Sequence, residues 1–315
     1  VDVLFLLGTL NLQLRNYDAA CVLLRKTLIL KPDYGMAHGN LGSSLQGLGR
    51  LEEATVSYQQ AVAHSPDYAD GYYNLANTLK EMGKLEEAVK NYKKAIELKP
   101  DDAEIHTNLG NALREQNRLG EAAISYRKAL YLDPENHGIR CNLGAALQEL
   151  GKFDEAVEIY RMVIRLKPGY VKAYNYLGTV LKEQHKLDEA IANYKQAIEL
   201  KPDYAEVYDN LGLALQKEGK TGEAVKCHKR AITLKPDFVE AFCNLGTAFQ
   251  GLGRLDEAID MYERAAALRP DYVIAYNNMG DVFKMQGNHV QAEASYVKSL
   301  KIEPDNATVY GNLGI

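Results

Sequence analysis

Much of what would signal chemistry is missing from this sequence. There are four cysteines, Cys21, Cys141, Cys227 and Cys243, and none stands in a CxxC spacing. Cys141 and Cys243 are equivalent positions three repeats apart, roughly 30 Å at about 10 Å per packed helix layer. A disulfide needs Cα atoms within about 7 Å, so that pair is excluded. Unpaired thiols fit a reducing compartment, cytoplasmic or nuclear. Basic residues do not outnumber acidic ones: 37 Lys and Arg face 42 Asp and Glu, a net charge of -5, which argues against nucleic acid as a partner. No apolar run approaches the roughly 18 residues of a membrane helix. The richest stretch, Val1 to Leu14, is interrupted by Asp2, Gly8, Thr9, Asn11 and Gln13, and lacks the basic start and cleavage site of a signal peptide. No HExxH, GxSxG, Walker loop or Cys/His cluster occurs, so no catalytic residue, metal or cofactor is expected.

Proline is confined to nine positions, 32, 66, 100, 134, 168, 202, 236, 270 and 304, and every gap is 34 residues. Proline seldom survives inside a helix, so this register marks where one unit ends and the next begins. Taking each proline as position 32, nine complete units span 1–34, 35–68, 69–102, 103–136, 137–170, 171–204, 205–238, 239–272 and 273–306, and 307–315 begins a tenth. An array of this kind grows by adding repeats, because each contacts only its neighbours.

Within the third unit, Tyr72, Leu75, Ala76 and Leu79 recur at helical spacing. Gly83 ends that helix, and the same place holds Gly49, Gly151, Gly219, Gly253, Gly287 and Asn117, as a left-handed C-terminal residue requires. Arg15 and His185 break that pattern. A second helix starts at Leu85 with Glu86 and Glu87 in its first turn, turns Ala88, Tyr92, Ala95 and Ile96 inward, and stops before Pro100. Two helices joined by so short a turn pack antiparallel. Position 8 is Gly in every unit but the third, where it is Ala76. A helix-interior glycine costs roughly 1 kcal/mol, so close contact between the two backbones is expected there. Position 20 is always Ala, and position 24 is Tyr except at Leu24 and His228.

A 34-residue helix-turn-helix unit with a large residue at 4, Leu-Gly at 7 and 8, Ala at 20, Tyr at 24, Ala at 27 and Pro at 32 resembles the tetratricopeptide repeat. The resemblance covers the whole chain. It implies an all-α, right-handed superhelical solenoid of antiparallel helix pairs, with the first helix of each unit lining a concave groove. It also implies a scaffold that binds proteins or peptides.

Positions 2, 5, 6, 9 and 12 of the first helix would then face the groove. Position 6 is Asn at Asn40, Asn74, Asn108, Asn142, Asn210, Asn244, Asn278 and Asn312, with Leu6 and Tyr176 as departures. Helix propensity does not explain such a row. A primary amide donates and accepts, so it can hold the N–H and C=O of an extended peptide without reading its side chains. Asp70 at position 2 and Asn77 and Asn111 at position 9 complete the candidate site. The expected partners are extended or disordered protein segments.

Phrases such as YYNLANTLKEMGKLEEAV and AYNNMGDVFKMQGN resemble the repeat region of protein O-glycosyltransferases. That resemblance implies an asparagine ladder on the substrate backbone and position-2 aspartates that influence side-chain choice. Only Asp2 and Asp70 keep aspartate; Glu104, Glu206 and Glu240 replace it, and Lys172 and Ile274 depart. A chaperone-type carboxylate clamp would need Lys at position 5, where no basic residue stands. His38 and His106 occupy the large-residue slot at position 4 and read as satisfied core histidines. Repeat 1 is apolar where polarity is expected, at Phe5 and Leu6, and the tenth unit stops in its first helix with Tyr310, Leu313 and Gly314 in their slots. These ends suggest an excised segment of a longer protein, or a homodimer formed through repeat 1 or the convex face.

Overall fold

The computed structural model describes residues 1–313, apart from the side chains of Thr308 and Leu313; Gly314 and Ile315 lie outside it. All regular structure among the described residues is helical. The first pairs are α1 (Asp2–Gln13) with α2 (Tyr17–Leu30), α3 (Gly35–Gly47) with α4 (Leu51–His64), and α5 (Ala69–Glu81) with α6 (Leu85–Leu98). Then come α7 (Ala103–Glu115), α8 (Leu119–Leu132), α9 (His137–Glu149), α10 (Phe153–Leu166), α11 (Val171–Glu183) and α12 (Leu187–Leu200). The remainder are α13 (Ala205–Lys217), α14 (Thr221–Leu234), α15 (Val239–Gly251), α16 (Leu255–Leu268), α17 (Val273–Met285), α18 (His289–Ile302) and the short α19 (Ala307–Leu313). The chain forms two compact units, Val1–Ile159 and Tyr160–Ile315. Within each, the first helix of a repeat packs most extensively on the second, and the second on the first helix of the next repeat. This is an α-solenoid of helix pairs.

The turn inside each repeat is fixed by one left-handed residue. Gly49, Gly83 and Gly151 in the first unit have φ of 73–74°, and in the second unit Gly219, Gly253 and Gly287 have φ of 74–85°. Arg15, Asn117 and His185 take the same conformation at φ of 59–60°, so the departures in sequence are not departures in backbone. The next N–H reaches back to close the helix end, as in Arg50 N to Leu45 O at 2.9 Å and Lys84 N to Leu79 O at 2.8 Å. The basic side chain at that residue then meets the acidic first turn of the second helix. Arg50 pairs with Glu53 at 2.6 Å and Arg118 with Glu121 at 2.8 Å. These carboxylates also receive a cation from the repeat before, Arg25 to Glu53 at 3.3 Å. Such exposed pairs contribute ~0–1 kcal/mol each and mainly set register.

The core lies between the paired helices and against the next repeat. Alanines at position 20, from Ala20 to Ala258, are fully buried, and so are Tyr92, Tyr126, Tyr194 and Tyr262 at position 24. The glycines at position 8 are explained by those rings, not by the backbone-to-backbone contact expected above. A Cβ on Gly110 would stand 2.6 Å from Tyr126, one on Gly246 2.6 Å from Tyr262, and one on Gly280 2.5 Å from Tyr296. The ring edge lies across the bare Cα, and overpacking that slot costs roughly 1–3 kcal/mol.

Candidate functional site

At position 24, Tyr58, Tyr92, Tyr126, Tyr194, His228, Tyr262 and Tyr296 carry a polar group into the core, and each is satisfied on the first helix of its own repeat. Tyr92 donates to Asn77 Oδ1 at 2.5 Å, Tyr126 to Asn111 Oδ1 at 2.8 Å, and Tyr296 to Asp281 Oδ1 at 2.6 Å. Asn77 and Asn111 are therefore anchors for the inner tyrosines. Burial pushes the phenols of Tyr58, Tyr126, Tyr194 and Tyr262 up to about 12. His228, the one histidine in this row, is fully buried; its Nδ1 lies 2.6 Å from Asp209 Oδ1 and its Nε2 3.0 Å from Gln216 Oε1.

The asparagine row sits one step further out, and each asparagine at position 6 is half-buried. Six of its amides donate to the preceding repeat. Asn40 reaches Thr9 Oγ1 at 2.8 Å, Asn108 reaches Tyr73 Oη at 2.7 Å, and Asn142 reaches Asn111 Oδ1 at 3.4 Å. In the second unit, Asn210 reaches Asn175 Oδ1 at 3.0 Å, Asn244 reaches Asp209 Oδ2 at 2.9 Å, and Asn312 reaches Asp281 Oδ1 at 3.0 Å. Asn278 lies against the Tyr262 hydroxyl, and Asn74 makes no side-chain hydrogen bond among the described residues. Carboxylate oxygens only accept, so Asp209 and Asp281 fix which end of the amide faces them. Tyr73 does the same for Asn108, because its own proton goes to Glu104 Oε1 at 2.6 Å. One Nδ2 hydrogen of each of these amides is thus engaged internally, while the second hydrogen of the Nδ2 group and lone-pair capacity on Oδ1 remain.

The flanking charges are also engaged. Asp70 accepts from Lys99 Nζ at 2.6 Å, Glu206 pairs with Lys235 at 3.5 Å and Glu240 with Arg269 at 2.9 Å, always position 2 with position 31 of one repeat. Position 12 turns sideways: Lys80 pairs with Glu115 at 3.5 Å and Arg114 with Glu149 at 3.1 Å. Both histidines expected in the core lean on the proline turn, His106 Nε2 on Pro100 O at 2.9 Å and His38 Nε2 on Pro32 O at 2.8 Å. Leu6 is 63% exposed, whereas Phe5 packs on Tyr34 with ring centroids 4.7 Å apart and Tyr176 on Tyr160 at 5.5 Å.

Position 34 carries a second variation that the repeat pattern did not single out. Where it is aromatic, the ring covers the first helix: a Cβ on Gly39 would meet Tyr68 at 2.8 Å. In the first unit Asp102 and Asn136 take this place and cap helices instead, Asp102 accepting from Glu104 N at 2.9 Å and Asn136 from Ile139 N at 3.1 Å. At this junction lies a cavity of about 890 Å³, lined by Lys99, Asp101, Asp102, Glu104, Thr107, Asp133 and Asn142 among others. In the second unit, a cavity of about 720 Å³ is lined by Lys167, Tyr170, Lys172, Lys201, Tyr204, Glu206 and Lys235 among others. The partners at positions 5 and 9, notably Tyr73, Asn175 and Asp209, were missed in the sequence because their residue types vary from repeat to repeat. Among the described residues no group of acidic, His or Cys side chains is placed to hold a metal, and no helix is long and apolar enough to cross a membrane.

Comparison with known proteins agrees with this architecture. The model described as TPR repeat matches residues 47–83, 76–113, 110–151, 179–219 and 217–253, and those described as Tetratricopeptide repeat match 137–170 and 237–305. No curated protein matches. Among solved structures, a tetratricopeptide repeat protein from Parabacteroides merdae superposes with a TM-score of 0.64 at 18% identity, covering 78% of this chain and 97% of that one. MamA is 27% identical over 53% of this chain and 97% of its own, with a TM-score of 0.48. YrrB, described as a TPR protein with an unusual peptide-binding site, is 22% identical over 61% of this chain and 100% of its own, also at 0.48. The family models match well over half of the residues, and the chain belongs to the tetratricopeptide repeat family.

Proposed function

We propose that this chain is a protein-interaction scaffold that holds extended polypeptide segments along the asparagine row. Family membership supports the scaffold. The observation that carries the finer reading is the orientation of the amides by the preceding repeat, as in Asn108 on Tyr73 and Asn244 on Asp209. An amide already held in one orientation loses less entropy when it bonds a ligand, which favours binding. Repetition at one position suits the repeating N–H and C=O of a peptide backbone. The same row would serve as the substrate-recognition region of a protein O-glycosyltransferase. That narrower reading is weakened at position 2, where Asp70 is held by Lys99.

The test is to change Asn108, Asn142, Asn210 and Asn244 to Ala together and titrate a fluorescent extended peptide. Each lost internal bond costs about 1 kcal/mol of stability, so folding is checked by circular dichroism. Affinity should fall at least about tenfold, near 1.4 kcal/mol. Unchanged affinity in a folded variant would remove the ladder from the account.

A second reading, self-association through α1, is favoured by one contrast. Leu7 is 44% exposed, while its counterparts Leu41, Leu75 and Leu109 are 3–7% exposed, and Val3, Leu6, Leu10 and Leu14 are open beside it. Light scattering should show a mass that rises with concentration and falls to the monomer in Leu6→Asn with Leu10→Asn. A concentration-independent mass in the parent chain would end this reading.

A further inference from the structure

In repeats 3, 7 and 8 the cation at position 31 is matched by an acid at position 2 of its own repeat: Lys99 by Asp70, Lys235 by Glu206 and Arg269 by Glu240. Repeats 5 and 6 carry the cation without the acid: Gly138 stands at position 2 opposite Lys167, and repeat 6 goes further. Lys172 stands where the acid should be, so Lys172 and Lys201 occupy the two ends of a missing ion pair. Lys167 faces the same cavity of about 720 Å³, and none of the three has a carboxylate partner among the described residues. Lys201 and Lys167 lie over the rings of Tyr204 and Tyr170, 5.0 and 5.7 Å from the centroids. The same repeat departs from the ladder, with Tyr176 in place of asparagine.

We infer that the cavity lined by Lys167, Lys172 and Lys201 binds acidic side chains of an extended polypeptide, so that repeat 6 reads side chains where its neighbours hold backbone. The inference rests on the polypeptide-binding reading above. Three unmatched ammonium groups around one open cavity attract carboxylates and repel cations. Asp203 and Glu206 on the rim of the same cavity disfavour a dense polyanion, which leaves an interrupted run of Asp or Glu as the fitting ligand.

The test uses two labelled peptides of one length, a Gly/Ser/Asn peptide and the same peptide with glutamate at alternate central positions, both amidated at the C-terminus. Fluorescence anisotropy should show the acidic peptide binding about tenfold more tightly at low salt, with the advantage shrinking as salt rises. Lys172→Glu restores the pairing used in repeats 3 and 7, so it should fold normally. It should abolish the preference while leaving the neutral peptide's affinity unchanged. Equal affinities of the two peptides for the parent chain would overturn the lysine site and leave the ladder standing. Failure of both peptides to bind would count against the ladder itself. A non-amidated neutral peptide that matched the acidic one would also overturn the proposal, since the site would then read a chain terminus.

Discussion

Two cavities made at corresponding places by the same repeat carry opposite charge. In the first unit the lining acids are Asp101, Asp102, Glu104 and Asp133 against Lys99. In the second unit Lys167, Lys172, Lys201 and Lys235 face Asp203 and Glu206. Neither difference disturbs the helices, because positions 31 and 2 lie at the exposed rim of the repeat junction. The inner row varies as well: tyrosine fills position 24 in both units, as at Tyr126 and Tyr262, and His228 replaces it in one repeat of the second. The fold therefore fixes positions 8, 15, 20 and 24 by sterics and leaves the junction free to vary in charge. A solenoid can in this way hold one backbone-binding row while changing what it reads repeat by repeat.

The largest expected effect falls on both units together. The fold favours the neutral phenol of the inner tyrosines, whose burial raises Tyr58, Tyr126, Tyr194 and Tyr262 to about 12. An unfolded tyrosine ionises near 10. Stability is thus fully present below about pH 10 and is lost as pH rises through about 12. The part of the tyrosinate absorbance that belongs to the buried rings should change together with circular dichroism along one alkaline titration; ionisation of all 21 tyrosines complete near pH 10 with the helices intact would contradict the burial.

A smaller effect separates the units. His228→Phe strands the buried carboxylate of Asp209, which keeps only its bond from Asn244, and should cost about 3 kcal/mol. Tyr126→Phe removes one neutral hydrogen bond to Asn111 and should cost about 1 kcal/mol. Urea denaturation of the two variants measures the difference, and equal losses would erase the contrast between the inner rows. Smallest is His185→Gly. That residue sits at φ 60°, so glycine should add roughly 0.5–1 kcal/mol, against no gain if the imidazole contributes something else.

The repeat, its helix boundaries and the identity of the core positions were legible in the sequence because sterics repeat strictly. Proline register, alanine at 20 and the left-handed turn residue each admit few alternatives, and even Arg15 and His185 conform to that turn. The reason for glycine at position 8 was misread, since only coordinates show Tyr126 lying across Gly110. Within the site, the asparagine row was legible as a row. Its orientation was not, because the acceptors Thr9, Tyr73, Asn111, Asn175, Asp209 and Asp281 are of four residue types and are divided between positions 5 and 9. The unmatched lysines were hidden for a similar reason: Lys172 looks like an ordinary surface charge until Lys201 is seen to share its cavity.

The central claim is that the amide row holds a peptide by its backbone. It is tested most directly by comparing one extended peptide with its counterpart N-methylated on alternate residues, measured by anisotropy on the parent chain. Methylation removes backbone N–H donors and leaves every side chain in place. The account predicts at least about a tenfold loss of affinity. Equal binding of the two peptides would contradict it.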